Sequence, residues 1–467
     1  VAVMYKYFYQ PEGGWVGDCM PCYHDGEFYM YYQLDQRIPK PFPDGEPFGW
    51  SLAKSKDMVN FCDYGEVLKK GEKYGREHCL YAGSVIYALG CFRAFYTGEC
   101  KTYVGTELPK EVIMFAHSKD GVNWIKEPDL TITAPDNYEK DFFRDPYVYF
   151  DEDMKTWIML IAARHQDGPK VRRSSLVYHT SDNLENWVFQ GDLWYPEMYH
   201  LLQMPDLFKM GDWWYLFFSE YDDEKKTRYR MSKGIFGPWL APADDCLDGR
   251  AYYAARTIVV EGRRYMYGWN PTRKENRDTD MWVWGGTAVM QELYQRGDGT
   301  LAVKLPDLFD KRFVESSVII DDFELYRADG NADKIILKDS GTFYRLDFDV
   351  EFAKDTYAFG VKLYENSEED IGYAYHFSPA KQQVVFDKLP NYPWFTCMNR
   401  GLSRMSDLQP GKKHRVSIVV DDDIAILYVD GVALNARMCE KPGAEVKFYV
   451  HGGQIKITDI KLYHDFV

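Results

Sequence analysis

One short phrase recurs along about the first 300 residues of this chain, and it restricts the fold more than any other feature. Ser55-Lys56-Asp57-Met58-Val59-Asn60-Phe61 returns as Ser118-Lys119-Asp120-Gly121-Val122-Asn123-Trp124, and again as Ser181-Asp182-Asn183-Leu184-Glu185-Asn186-Trp187. A degenerate copy runs from Ser232-Lys233-Gly234 to Trp239. The serines step by 63, 63 and 51 residues. A period of this length marks a repeated supersecondary unit. A Ser-Asp turn running into an aromatic reads as one connection between two outer strands, made once per unit.

A second feature keeps the same phase. Aromatic-rich runs lie at Phe28 to Gln33, Phe92 to Thr97, Trp157 to Ala162, Trp213 to Ser219 and Arg264 to Trp269. Each is a short β-type run bounded by Gly, Asp or Lys. No segment sustains a helical period. Five strand-rich units of this size predict an all-β chain that opens with a five-bladed β-propeller, whose blades are four-stranded sheets set radially.

The repeat stops near Leu305. Beyond it, Tyr344 to Phe352 alternates apolar and charged residues, Arg415 to Val420 and Ile424 to Val429 flank Asp421-Asp422-Asp423 as a hairpin, and Ile455 to Leu462 alternates with one residue out of step near Thr458. These are strands of a two-sheet sandwich. Residues 1–305 are therefore expected to form the propeller and 306–467 the β-sandwich. The sandwich is expected to be structural, with Tyr392, Trp394 and Phe395 as an accessory sugar-binding alternative.

Composition narrows the function. A net charge of −16 argues against nucleic acid, which needs clustered Lys and Arg to neutralise phosphates. No apolar run reaches the 18 residues of a membrane-spanning helix. Aromatics at 17% fit strands and also stack on sugar faces. The nine cysteines are odd in number and irregularly spaced, which predicts no disulfide framework. Cys19-Met20-Pro21-Cys22 has redox spacing but runs into a predicted hairpin, so packing is the expected role. This cysteine usage favours a reducing cytoplasm, with secretion after loss of a leader as the alternative.

Counting back 12–13 residues from Tyr31, Tyr96, Ile158, Leu216 and Tyr265, one position inside each aromatic run, reaches one distinctive polar residue each time: Asp18, Ser84, Asp145, Gln203 and Tyr253. Equivalent positions of radial blades converge on one axis, so Asp18, Asp145 and Gln203 are expected at one mouth of the channel. An aspartate at a strand start often only caps a turn; the shared phase sets these apart. Two carboxylates in a confined aromatic pocket are what glycoside hydrolysis requires.

At these residues the chain resembles glycoside hydrolase family 32, the invertase, inulinase and levanase family. Phe143-Arg144-Asp145-Pro146 matches its Arg-Asp-Pro motif, and Pro205-Asp206-Leu207-Phe208 the tail of its Glu-Cys-Pro-Asp-Leu-Phe motif. Trp50 to Phe61 resembles its Trp-Gly-His segment, Gly83-Ser84 its Ser-Gly-Ser segment and Gly268-Trp269 its late Gly-Trp. The resemblance implies a retaining, exo-acting hydrolase of the β-fructofuranosidase type on a fructofuranoside or related furanoside, with an oligosaccharide or small glycoside as partner and no metal or organic cofactor. It implies Asp18 as nucleophile and Asp145 as transition-state stabiliser. Arg144 would hold a substrate hydroxyl, Trp50 and Trp269 would wall the pocket, and Gln33, Ser84, Asp206 and Tyr253 would add contacts. Homo-oligomerisation stays open.

Two departures matter. Asp18 lies in Gly17-Asp18-Cys19-Met20-Pro21 where the family has Asn-Asp-Pro-Asn-Gly, and Gln203 occupies the position of the acid/base Glu. An amide cannot donate a proton at useful pH. Three explanations stand: a Glu-to-Gln variant that traps substrate, a replacement acid among Glu197, His200 and Glu220, or a sugar-binding relative without hydrolysis. A five-bladed propeller acting on arabinose or xylose is the rival enzyme class.

Overall fold

The computed structural model describes residues 5–222, 224–390 and 400–467. The stretch holding Tyr392, Trp394 and Phe395 lies outside the described residues. Five antiparallel sheets follow one another along the first part of the chain. The first blade is Trp15–His24, Glu27–Asp35, Trp50–Ser55 and Cys62–Leu68. The second is Cys79–Ala88, Cys91–Glu99, Glu111–Ser118 and Trp124–Lys126. The third is Tyr138–Asp151, Thr156–His165, Ser174–Ser181 and Val188–Trp194. The fourth has Leu202–Met210, Trp213–Glu220 and Thr227–Ser232, and two isolated bridges, Arg228–Cys246 and Met231–Leu240, flank its outer edge. The fifth is Tyr253–Val260, Arg263–Arg273, Trp282–Gln295 and Leu301–Lys304.

The recurring phrase is one turn built three times between third and fourth strands. Asp57 Oδ1 accepts the amides of Val59 and Asn60 at 3.0 and 2.8 Å, and Asp120 Oδ1 those of Val122 and Asn123 at 2.9 and 2.8 Å. Asn183 Oδ1 does the same for Glu185 and Asn186 at 3.0 and 2.8 Å. Met58, Gly121 and Leu184 take the left-handed conformation at the same place, with φ of 62°, 73° and 65°. The side-chain acceptor replaces a missing backbone partner and holds the strained residue. Every aromatic run is the second strand of its blade, packed on both faces.

The ring closes between its first and last blades. Val16 pairs with Gly286, and Tyr9 and Ala288 exchange backbone hydrogen bonds of 3.4 and 3.0 Å.

The remaining strands form two sheets that share their longest members. Glu445–Phe466 turns at Gly452 and Gly453, with φ of 55° and 108°. Before the turn it pairs with Ala358–Asn366, and after it with Phe343–Phe352. Phe323–Leu337 follows it across both sheets. Leu346, Phe348 and Val350 meet Val416, Ile418 and Val420 in the core between them. The residue out of step near Thr458 is a bulge, where the register against Asp347 and Asp349 slips. Cys19 and Cys22 are buried in the first blade, where desolvation pushes the Cys22 thiol up to about 12. Thiols so held are packing groups, not redox groups.

The sandwich locks onto the fifth blade through Arg437. Its guanidinium donates to Pro271 O at 2.8 Å, Thr287 Oγ1 at 3.0 Å and Asp423 Oδ2 at 2.6 Å. A fully buried Arg is tolerated only with its donors answered in this way.

Candidate active site

The innermost strand of every blade carries a bulge at the same height. Pairing with the second strand slips between Val16 and Cys19, between Tyr81 and Gly83, opposite Arg144 to Tyr147, between Gln203 and Asp206, and between Tyr253 and Arg256. A bulge releases residues from the ladder and re-aims their side chains. In the last three blades it puts Asp145, Met204 and Ala254 at φ of 60°, 51° and 56°. Each costs on the order of 1 kcal/mol or more in a residue with a Cβ.

The bulges deliver Asp18, Asp145, Gln203 and Tyr253 to one cavity of about 290 Å³. Asp18 Oδ1 accepts the indole N–H of Trp269 at 3.0 Å. Desolvation and the neighbouring Asp145 charge push its carboxyl up to about 7, against the pull of that hydrogen bond, Arg256 and Arg144. Asp145 is fixed from both sides: its amide donates to Thr97 Oγ1 at 2.9 Å, and its Oδ2 accepts the Met204 amide at 3.0 Å. Desolvation raises its carboxyl too, opposed by Arg144, the Met204 amide and Arg256. Arg144 forks onto the buried Glu111, with Nε at 2.8 Å from Oε2. Arg256 donates to the Asp145 carbonyl at 3.0 Å. Two aspartates thus share a desolvated site whose nearest cations are both committed to the scaffold.

Gln203 Oε1 accepts the Tyr253 hydroxyl at 2.9 Å. The amide nitrogen has no partner among the described residues and belongs to the cavity wall. It presents a hydrogen-bond donor without an acidic proton. Of the three replacement acids, Glu197 is exposed and Glu220 is buried, and neither lines the cavity. Glu220 turns back on its own loop and accepts the Asp222 amide at 2.7 Å. His200 does line the cavity. Desolvation, aided by Arg164, lowers its pKa and so works against the protonated ring.

Gln33, Arg144 and Trp269 also line the cavity. Trp50, Ser84 and Asp206 do not, and here the structure corrects the sequence reading. Trp50 is fully buried, and its indole donates to Tyr81 O at 3.0 Å, which makes it a brace between the first two blades. Ser84 Oγ accepts the Val148 amide at 3.2 Å, joining blades two and three. Asp206 accepts the Thr257 amide at 2.6 Å, joining blades four and five. All three sit one layer behind the wall.

The apolar wall comes instead from Phe42, Phe142, Trp282 and Trp284. Trp284 stacks on Phe48 at 5.7 Å and meets Trp269 edge-on at 5.8 Å. A Cβ on Gly17 would lie 2.0 Å from the Trp284 ring, so only glycine beside Asp18 admits that indole. Tyr81, Tyr221, Lys225 and Arg250 complete the polar side. One signal for the missed wall was in the sequence: Trp282 and Trp284 are two apart on a strand, hence on one face.

Residues 8–301 match the sequence profile of the glycosyl hydrolases family 32 N-terminal domain. The chain belongs to glycosyl hydrolase family 32. This family 32 chain is 25% identical over 342 residues to the sucrose-6-phosphate hydrolase of Zymomonas mobilis subsp. mobilis, covering 67% of this chain and 65% of that protein. It is 23% identical over 493 residues to the levanbiose-producing levanase of Bacillus subtilis, covering 98% of this chain and 90% of that protein. The chain spans 63–65% of the length of the first three curated relatives it matches. The solved structure of sucrose-6-phosphate hydrolase from Lactobacillus gasseri superposes with a TM-score of 0.78 at 18% identity, over 99% of this chain and 93% of that one. That agreement shows the shared architecture of five-bladed propeller and sandwich.

Proposed function

We propose that this family 32 chain is a glycosidase that cleaves the glycosidic bond of a furanoside with retention, through a covalent sugar–enzyme intermediate on Asp18. The observation that carries this reading is the meeting of Asp18, Asp145 and Gln203 in one aromatic-walled cavity. Asp18, its carboxylate steered by the Trp269 indole, attacks the anomeric carbon. Asp145 and Arg144 hold sugar hydroxyls and steady the oxocarbenium-like charge. Trp269 and Trp284 stack on the ring. The relatives named for sucrose-6-phosphate and levan support a fructofuranosyl unit in this subsite.

Gln203 stands where the proton donor would, and its amide leaves a poor leaving group unassisted. Restoring the acid by Gln203→Glu is expected to raise turnover of sucrose, inulin or levan by about 10²–10⁴-fold. Product analysis should include aryl arabinofuranosides, which separate fructosidase from arabinosidase specificity. A Gln203→Glu protein that binds furanosides yet hydrolyses none of this panel would overturn the hydrolase reading in favour of a binding protein.

A further inference from the structure

Gln203 leaves the cavity without a side chain fit to protonate a departing alkoxide. Glu220 faces its own loop and Glu197 lies outside the cavity. His200 lines the cavity, but burial and the Arg164 charge work against its protonated form. Burial pushes the Tyr253 hydroxyl far above its ordinary range. On the side of the cavity formed by the fourth and fifth blades stand two cations, Lys225 and Arg250. Both are half-buried, and neither forms an ion pair or a side-chain hydrogen bond among the described residues. Lys225 Nζ has only the Tyr221 ring, 4.6 Å from its centroid, and Arg250 reaches the Trp282 ring at 6.0 Å.

These are not the counter-charges of the two aspartates, which are Arg144 and Arg256. Nor are they paired to Glu220, the carboxylate both of them feel, which forms no ion pair with either and accepts the Asp222 and Lys226 amides at 2.7 and 3.4 Å. Burial lowers the pKa of each, and the Arg250 charge lowers that of Lys225 further. In a chain of net charge −16, two mutually repelling cations on a cavity wall are an arrangement that an anion would stabilise.

The missing acid and the unanswered cations have one common solution. We propose that the cavity accepts a furanosyl unit whose anomeric oxygen carries a phosphoryl group, that Lys225 and Arg250 bind that group, and that it departs without a proton from the protein. The inference rests on the hydrolase reading above and names the leaving group for that same site. Asp18 attacks the anomeric carbon of the singly charged phosphate ester, and the bond from that carbon to the bridging oxygen breaks. The electron pair leaves with the oxygen as hydrogen phosphate dianion, held by Lys225 and Arg250. The conjugate acid of hydrogen phosphate dianion gives up its proton near neutral pH, far below an alcohol, so this group departs without protonation where an alkoxide does not. Water then attacks the anomeric carbon and displaces the Asp18 carboxylate. Its proton passes to the waiting phosphate, giving free sugar and dihydrogen phosphate. Gln203 contributes a neutral donor to the bridging oxygen.

The test uses the intact chain at pH 6, with β-D-fructofuranosyl phosphate and 4-nitrophenyl β-D-fructofuranoside as probes. The second is a neutral glycoside with an equally acidic leaving group. The expected result is a kcat/KM ratio of phosphate to nitrophenyl substrate of at least tenfold. Lys225→Met and Arg250→Met should each reduce that ratio by about tenfold, and Gln203→Glu should raise sucrose cleavage far more than phosphate cleavage. Circular dichroism and melting establish that the variants are folded. Nitrophenyl cleavage with no phosphate preference, or a preference indifferent to both cation substitutions, overturns this inference and leaves the hydrolase reading standing. If neither the chain nor its Gln203→Glu form cleaves the nitrophenyl furanoside, both readings fall.

Discussion

Two aspartates, one in the propeller and one in the sandwich, are pushed to about the same pKa of 7 by the same first cause, desolvation. Their surroundings differ. Asp421 ends a sandwich strand with its Oδ2 filled by the amides of Lys6 and Tyr7 at 2.8 and 2.7 Å, and it pins the N-terminal segment. Asp18 accepts one indole N–H, and otherwise faces a cavity with a second carboxylate behind it. A raised carboxyl is therefore no mark of a site by itself. An acceptor left open to a cavity is what separates Asp18 from Asp421.

The strongest test of that contrast is Asp18→Asn. If Asp18 is the nucleophile, furanoside turnover in the Gln203→Glu background falls by about 10⁴-fold or more. Stability should move the other way. A folded pKa of about 7 against an unfolded one near 4 means that the folded chain binds more protons between those limits. Stability then falls as pH rises through that window and is lowest above it. Removing the carboxylate should raise the urea midpoint at pH 7.5, worth about 1–3 kcal/mol after allowance for solvent at the half-buried edge. A variant with lost activity and unchanged pH slope would break the assignment of that slope to Asp18.

Asp421→Ala should do the reverse. It strands two backbone donors and costs about 2–4 kcal/mol in urea unfolding, with kcat kept within about twofold. Asp421→Asn keeps an acceptor and should recover most of that loss. If Asp421→Ala instead abolished turnover with little change in stability, the division between structural and reactive aspartates would be wrong.

The same division explains what could be read from the sequence. Asp18, Asp145, Gln203 and Tyr253 were legible because the blade repeat fixes their height, and the bulge recurs with it. The sandwich was legible from strict alternation, down to the bulge at Thr458. Trp50 was misread because pattern places a residue on a strand but not in the layer it faces. Its indole points between blades toward Tyr81, not across the channel. Lys225, Arg250 and Phe42 were not legible at all. They stand in loops or beside strand ends, where no period acts and only tertiary contact brings them to the cavity.

The smallest expected effect probes the one bond that distinguishes Asp18 from an unanswered buried acid. Trp269→Phe keeps an aromatic ring against the cavity and removes only the indole N–H, which favours the ionised carboxylate. Without it the Asp18 pKa should rise further. The acidic limb of the kcat/KM profile, measured in the Gln203→Glu background, should then move to higher pH by about one unit. The plateau above that limb should change less than the limb itself, because the ring still packs on Trp284 and Tyr253. A limb that stays in place while the plateau drops would mean that Trp269 acts by packing alone. The titrating group would then be Asp145, whose carboxyl is also raised but which takes its hydrogen bond from Met204.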